Sequence, residues 1–356
     1  MAGQGGWDEA KAGAFMEKAL GDLSGTMTVG LCHLGDRLGL FKDLAANGPA
    51  GSRELADRLD LDERYVREWL RGLTAAGYLE EPEPGRFLLP AEHVPALADE
   101  SGPMFLGGVY QFMPAALAPY ERLAEAFRSG GGVGQDAYPD ALWDGMSRFT
   151  GGWYESVMVD DWLSTFPRVV ERLERGIDVA DVGCGAGRAL IVLAKAFPRS
   201  RFTGFDNFPA QVERARANAE EAGVADRVSF ETVDAARGIP GRYGLVTTFD
   251  VIHDAAEPKR LLASIRAAVE DDGDYLMLEI SCKDRPEDNV GPVAAMYYGF
   301  SVFYCMTTSL ANGGAALGTC GMPEAVVRDL CTEAGFTSVA RSTQEDPFNL
   351  LYDIRP

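Results

Sequence analysis

The stretch Val179-Ala180-Asp181-Val182-Gly183-Cys184-Gly185-Ala186-Gly187-Arg188 joins a short apolar run to a helical pattern through three glycines. Glycine lets a backbone turn tightly and approach a ligand with no Cβ in the way. The spacing is G-x-G-x-G, whereas a nicotinamide dinucleotide wants G-x-G-x-x-G. An acid, Asp181, also stands two residues before the first glycine. A carboxylate there repels a pyrophosphate and suits a ligand carrying an ammonium group.

Outward from this loop, strand and helix patterns alternate. Strands are predicted at 177–182, 201–205, 227–232, 245–249, 275–280, 338–342 and 349–354, with helices at 188–197, 210–222, 258–269 and 323–334. Such alternation implies a parallel sheet covered by helices on both faces. The fold class read from it is α/β, a Rossmann-like doubly wound sheet of seven strands, with the last two strands forming an antiparallel hairpin. The piece 281–322 is too long for a plain connection and reads as a lid insertion. Two further acids fall at strand ends. Asp206 closes the second strand, where a carboxylate accepts from both hydroxyls of a ribose. Asp234 follows the third, placed to accept from an adenine amino group.

Before residue 100 the chain reads as a mainly helical winged-helix domain. Ser52 is the expected N-cap of a helix through Leu59, and a second helix over 62–73 lines up Tyr65, Val66, Trp69, Leu70 and Leu73 on one face. Tyr78–Glu80 and Phe87–Leu89 then read as two strands around a turn at Pro82, Pro84 and Gly85. Charge opposes a DNA-binding reading: residues 1–100 hold 18 acidic and 10 basic side chains, and Glu80-Glu81-Pro82-Glu83 at the tip repels phosphate. The second helix sets Asp62, Glu63 and Glu68 against Arg64, Arg67 and Arg71, which leaves no basic face. The expected role is dimerisation, through helices over Trp7 to Leu44 that carry more apolar surface than a winged helix needs.

The division expected is 1–100 for this domain, 101–175 for a helical linker that covers substrate, and 176–356 for the sheet with its lid at 281–322. The whole chain of 356 residues carries a net charge of −21, which disfavours polyanions and anionic membranes as partners. Six scattered cysteines fit free thiols in a reducing cytoplasm. The start, Met1 to Gly13, has no apolar core run of a secretory signal, and no stretch approaches the ~18 apolar residues of a membrane span.

The fourth strand runs into Phe249-Asp250-Val251-Ile252-His253-Asp254. Residues just beyond the carboxyl ends of such strands face the ligand crevice, and His253 is the only histidine in this half of the chain. It reads either as a general base or as a residue that packs and caps the next helix. Glu279, ending the fifth strand, either orients His253 or a substrate hydroxyl, or is a solvated strand end. Phe149, Trp153 and Tyr154 of the linker, with Tyr298 and Met306 of the insertion, are the expected substrate-side residues; many of the surrounding aromatics are plain core. No metal site is predicted, since no second histidine lies near His253 and Asp254.

Together the three strand-end signals resemble the class I S-adenosylmethionine-dependent methyltransferases over about 177–356. The winged helix, Ile252-His253-Asp254 and the run Met306–Thr319 with its Gly313-Gly314 turn resemble, more narrowly, the small-molecule O-methyltransferases of plants and actinobacteria. The resemblance implies S-adenosyl-L-methionine as cofactor, its methionine part held by Asp181, Gly183 and Gly185, its ribose by Asp206, its adenine by Asp234 and Ala235, and His253 as general base. Cys184, Asn207, Phe249 and Asp250 complete the implied cofactor contacts, and the implied acceptor is a small aromatic or polyketide-like molecule methylated at oxygen or an activated carbon. Two departures stand out: Ala255 replaces the tryptophan usual after His-Asp, and the acidic and threonine pattern after Gly-Gly is altered. Two rival readings remain from the residues: a winged-helix regulator that senses adenosylmethionine, and a homologue that keeps the cofactor without methylating.

Overall fold

A computed structural model describes residues 7–344 and 346–356; the first six residues of the glycine-rich start lie outside them. The chain divides into two compact units, one reaching to Pro114 and including Asp144–Phe149, the other formed by Ala115–Trp143 and Thr150–Pro356. Residues 101–175 are therefore shared between the units.

In the first unit, helices Ser52–Leu59 and Glu63–Ala75 precede strands β1 (Glu80–Glu83) and β2 (Arg86–Leu88), which pair antiparallel. The turn is tighter than the prolines suggested, because Pro82 lies within β1 and only Pro84 and Gly85 remain to reverse the chain. Gly51, not Ser52, is the N-cap; the Ser52 hydroxyl instead donates to Glu63 at 2.5 Å. The second helix is capped by Asp62, whose carboxylate accepts from the amides of Arg64 and Tyr65. Its buried face is Val66, Trp69, Leu70 and Leu73, while Tyr65 is exposed. Trp69 packs edge-on to Phe41 and donates its indole N–H to the Leu31 carbonyl at 2.8 Å. A 29-residue helix, Glu9–Arg37, leads into this core.

The second unit carries strands β3 (Asp178–Val182), β4 (Arg201–Asp206), β5 (Val228–Thr232), β6 (Tyr243–Phe249), β7 (Val269–Ile280), β8 (Ser338–Arg341) and β9 (Asn349–Arg355). Their order is β5-β4-β3-β6-β7-β9-β8; β9 pairs antiparallel with β7 and β8, and the other neighbours are parallel. β3 and β6 are buried along nearly their whole length, as central strands covered on both faces must be. One side packs Val179, Leu245, Leu276 and Leu351 under the helix Arg188–Ala196, and the other packs Val182, Val246, Met277 and Tyr352 under the helix Pro258–Ala268. The order reverses between β3 and β6, and in open sheets of this kind the ligand crevice lies at that reversal, beyond the carboxyl ends of the strands. Within 281–322 the middle is helical: Pro292–Phe300, a wider-wound turn Ser301–Cys305, and Met306–Ala311.

Candidate active site

The glycine loop is held by β4. Gly183 and Cys184 both donate their amides to the Phe205 carbonyl, at 2.8 and 3.1 Å. Asp206 acts as a strut: one carboxylate oxygen accepts from Gly185 and the other from Phe208, each at 2.9 Å. An ionised carboxylate has about four acceptor positions, so two such bonds leave capacity for a ligand. Gly183 and Gly185 both adopt positive φ, +72° and +51°. A Cβ on Gly183 would meet the Val251 side chain at 2.6 Å, whereas one on Gly185 would meet nothing within 4 Å. Gly183 is thus needed for packing, and Gly185 borders open space.

Asp181 is buried at the end of β3, its carboxylate accepting from the Thr247 hydroxyl at 2.7 Å. Burial pushes its carboxyl from 3.8 up to about 7, with the Thr247 hydrogen bond opposing and the Asp206 charge adding to the rise. Burial likewise raises Asp206, takes Asp250 to about 7 and Asp254 to about 6. No Lys or Arg figures among the leading influences on these four carboxyls. Burying carboxylates without a cation is costly, so the set lacks positive charge that a ligand can bring. A ligand carrying a sulfonium and an ammonium group fits that donor set.

Asp250, directly after β6, has a left-handed backbone, φ +56°, its amide donating to the Leu278 carbonyl. Asn349, at the start of β9, donates its side-chain amide to the Asp250 carboxylate at 2.7 Å. The turn carries the chain to His253, which is buried with a relative exposure of 3 %. Glu279 is fully buried, which removes the solvated-strand-end reading. One of its carboxylate oxygens accepts from the amides of Ile252 and His253, and the other meets Nδ1 of His253 at 2.8 Å. A carboxylate only accepts, so Nδ1 carries a proton, and it is in the neutral ring that Nε2 keeps its lone pair. Burial alone would lower the affinity of His253 for a further proton; the Glu279 charge and the Cys305 side chain outweigh it, and the net direction is well upward. Donor atoms of Asp250, His253 and Glu279 lie within 4.8 Å of one another, a metal-capable grouping that the count of histidines did not suggest.

The other expected residues divide. Tyr154 is buried, its ring against Phe249 at 5.4 Å, and it feels the charges of Asp250 and Asp181. Ala235 is buried, and Asn207 is exposed beside Asp206. Asp234 is exposed and caps its own turn, accepting from the Ala236 amide and pairing with Arg237 at 2.9 Å. Trp153 stacks on Phe348, Tyr298 is largely exposed, and Met306 is half-buried at the head of its helix. Phe149 belongs to the first unit, where it packs on Phe112. Sequence reasoning missed Thr247, Asn349 and Cys305. Asn349 alone carried a signal, as a polar residue opening an apolar strand.

Comparison with known proteins gives these groups a context. A methyltransferase domain matches residues 173–306, and an Rv2258c-like winged HTH domain matches residues 25–98. The chain is 25% identical over 346 residues to O-demethylpuromycin-O-methyltransferase of Streptomyces alboniger, covering 94% of this chain and 88% of that one. It is 32% identical over 116 residues to polyketide synthase ThaQ of Burkholderia thailandensis, a match spanning only 6% of that protein and 32% of this one. Among solved structures, the S-adenosylmethionine-dependent methyltransferase SibL in its apo form superposes with a TM-score of 0.63 at 25% identity, over 95% of this chain and 98% of that one. A methyltransferase domain with the matching seven-stranded fold thus follows a winged helix-turn-helix domain.

Proposed function

We propose that this chain, an S-adenosylmethionine-dependent methyltransferase, methylates an oxygen of a small, flat acceptor with His253 as general base. The carrying observation is the buried Glu279–His253 pair at 2.8 Å, beside four carboxyls raised by desolvation with no Lys or Arg among their leading influences. S-adenosylmethionine supplies a methyl group on a sulfonium sulfur, open to in-line displacement by a nucleophile.

Asp181 and the Gly183–Gly185 loop hold the methionine part, Asp206 the ribose, and Asp234 with Ala235 the adenine. Ionised Asp181 pairs with the ammonium while Thr247 fixes its orientation. Glu279 holds the proton on Nδ1, so Nε2 faces the acceptor and takes its hydroxyl proton. Tyr154, Trp153, Tyr298 and Met306 provide apolar surface for a flat ring. The complete burial of the pair excludes water and strengthens each charge interaction. The Streptomyces alboniger relative is named for O-methylation of O-demethylpuromycin, which supports an oxygen acceptor.

Nucleic acid is not part of this reading. On the second winged-helix helix, Arg64 pairs with Glu68 and Arg67 with Glu63, leaving little free positive charge for phosphate. No helix among the described residues is long and apolar enough to cross a membrane. The protein is read as a cytoplasmic homodimer joined through Glu9–Arg37, where Phe15, Met16, Leu20, Leu23 and Met27 are exposed.

The test combines calorimetry with turnover on a panel of phenols and hydroxyquinones. Micromolar binding of S-adenosylhomocysteine is expected, with His253→Ala lowering turnover about 10²–10⁴-fold and leaving affinity within a few-fold. Equal losses in both would make His253 structural, and turnover only on carbon or nitrogen acceptors would overturn the oxygen assignment.

A further inference from the structure

The run Gly130-Gly131-Gly132 and the segment after it take no part in the methyl-transfer reading, yet that segment is tied closely to the site. Gly130 and Gly131 both adopt a left-handed backbone, φ +78° and +79°, where the chain leaves the helix Tyr120–Ser129; glycine enters that region without steric cost. Gly132 then lies against the helix Met306–Ala311. A Cβ there would overlap the Thr307 carbonyl oxygen and reach the Ala311 amide nitrogen at 2.5 Å. Three hydrogen bonds continue the attachment. The Val133 amide donates to the Thr307 hydroxyl at 2.9 Å, the Gln135 side-chain amide to the Tyr304 hydroxyl at 3.2 Å, and the Tyr138 hydroxyl to the Phe303 carbonyl at 2.5 Å. Val133, Tyr138 and Trp143 are all buried. Residues 130–143 therefore form a docked strap, not a loose loop.

The far end of the strap reaches the cofactor loop. The Trp143 ring packs on Phe208 at 5.4 Å and edge-on to Tyr304 at 5.7 Å. Phe208 is the residue whose amide holds the Asp206 carboxylate, and the Tyr304 phenol feels the charges of Asp206 and Asp254. The indole thus stands at the Asp206 end of the crevice, and a rigid aromatic of this size covers a ligand at low entropic cost. We propose that Trp143 is a cofactor-site residue that walls the ribose end, and that the strap 130–143 must undock from 303–311 before the cofactor enters or leaves. This rests on the ribose lying at Asp206. A strap already docked in the free protein slows entry and exit alike, whereas a contact made only with bound ligand adds to retention alone. The two ends of the strap therefore have different signatures. Undocking at Gly132, which lies on the helix Met306–Ala311 and not at Phe208, raises both rates and leaves their ratio nearly unchanged. Loss of the Trp143 ring raises the release rate and weakens binding with it.

The experiment loads the full chain with radiolabelled S-adenosylhomocysteine, chases it with excess unlabelled compound, and measures affinity separately by calorimetry. Gly132→Ala is expected to speed release about 5-fold or more, the effect of forcing a methyl group into a packed contact, with affinity nearly unchanged. Trp143→Ala is expected to speed release about 10-fold or more and to weaken affinity in step, and Trp143→Phe to restore most of both. If Gly132→Ala does not fold, Tyr138→Phe decides: it deletes one hydroxyl on the lid side and should speed release about 2- to 12-fold, the worth of one hydrogen bond. Unchanged release in these variants overturns the proposal, even where their melting temperatures fall. Faster release with unchanged affinity in Trp143→Ala removes that residue from the ligand. No binding to wild type would overturn the cofactor placement itself, whereas ordinary wild-type binding with insensitive variants overturns the strap alone.

Discussion

Replacing Asp181 by Asn is expected to move stability and cofactor affinity in opposite directions. Burial pushes the Asp181 carboxyl from 3.8 up to about 7, and a tenfold change in proton affinity is worth about 1.4 kcal/mol. Keeping it ionised in the unliganded fold therefore costs about 4 kcal/mol. The sign follows from proton counts. Between about pH 4 and pH 7 the folded protein holds a proton here that the unfolded chain has released, so stability falls as pH rises through that window. Above pH 7 the loss is complete. Asn cannot ionise and escapes this loss, but its amide puts two N–H donors where an oxygen stood, at about 1–2 kcal/mol.

The net expectation is a variant about 2–3 kcal/mol more stable than wild type at pH 8 and slightly less stable near pH 4. The Thr247 hydroxyl keeps an acceptor throughout. Affinity for S-adenosylmethionine should fall about 10- to 150-fold, the loss of a charged hydrogen bond worth about 1.5–3 kcal/mol. Urea melts of the unliganded proteins at intervals from pH 4 to 9, together with calorimetric titrations at pH 8, measure both. A variant that parallels wild type at every pH would refute the burial argument. An unchanged affinity would refute the role given to Asp181.

Three other perturbations separate neighbouring roles. Gly183→Ala forces a Cβ to 2.6 Å from Val251 in a left-handed conformation and should destabilise the protein by at least about 1–2 kcal/mol in thermal melts. Gly185→Ala bears a similar backbone penalty with no clash, so it should lose several-fold more cofactor affinity than its small drop in melting temperature suggests; equal behaviour of the two variants would remove Gly185 from the ligand face. Glu279→Gln removes the charge that holds His253 above 6.5. The ascending limb of kcat/KM against pH should then move to lower pH as kcat falls, and a limb that stays in place would show that another group titrates. Leu20→Asp with Met27→Asp on the exposed face of Glu9–Arg37 should convert a dimer to monomer by light scattering, whereas an unaltered mass places the interface elsewhere.

The sheet was legible because apolar alternation and turn residues are local properties; six of the seven strands fall within two residues of where periodicity puts them. The largest difference is β7, which begins at Val269 although Glu270-Asp271-Asp272-Gly273 reads as a loop. Val269 pairs with Tyr243 and Asp274 with Leu245, so the four residues between them form an irregularity that continues the strand without a partner on β6. Asp181, Asp206 and His253 were legible because strand ends in such a sheet point at one crevice. Cys305, Asn349 and Thr247 were not, because each matters through a partner 52 to 99 residues away, and no local pattern encodes that. Phe149 was grouped with Trp153 and Tyr154 by sequence distance alone, and the boundary between the two units passes between them.

The acids of the site and the base form one electrostatic system. Asp254 responds to His253, Glu279 and Asp206, while Asp250 responds to Glu279, His253 and Asp254. In the free protein, negative charge around His253 favours a proton on Nε2 and blocks it as a base. A cation held by Asp181 and Asp206 opposes that field, so occupancy of the cofactor site should lower the affinity of His253 for the blocking proton. Binding and activation of the base are then coupled by charge, with no conformational change required. The field is relayed through Asp254, which responds to both Asp206 and His253; a unit charge about 8 Å away at an effective dielectric near 20 is worth about 2 kcal/mol, a move of about one pH unit. The ascending limb in kcat, which reports the bound enzyme, should therefore lie at least about one pH unit below the limb for the free enzyme, obtained from S-adenosylmethionine kcat/KM. Coincident limbs would mean that His253 does not sense the occupied site, and that the carboxyl cluster serves cofactor binding alone.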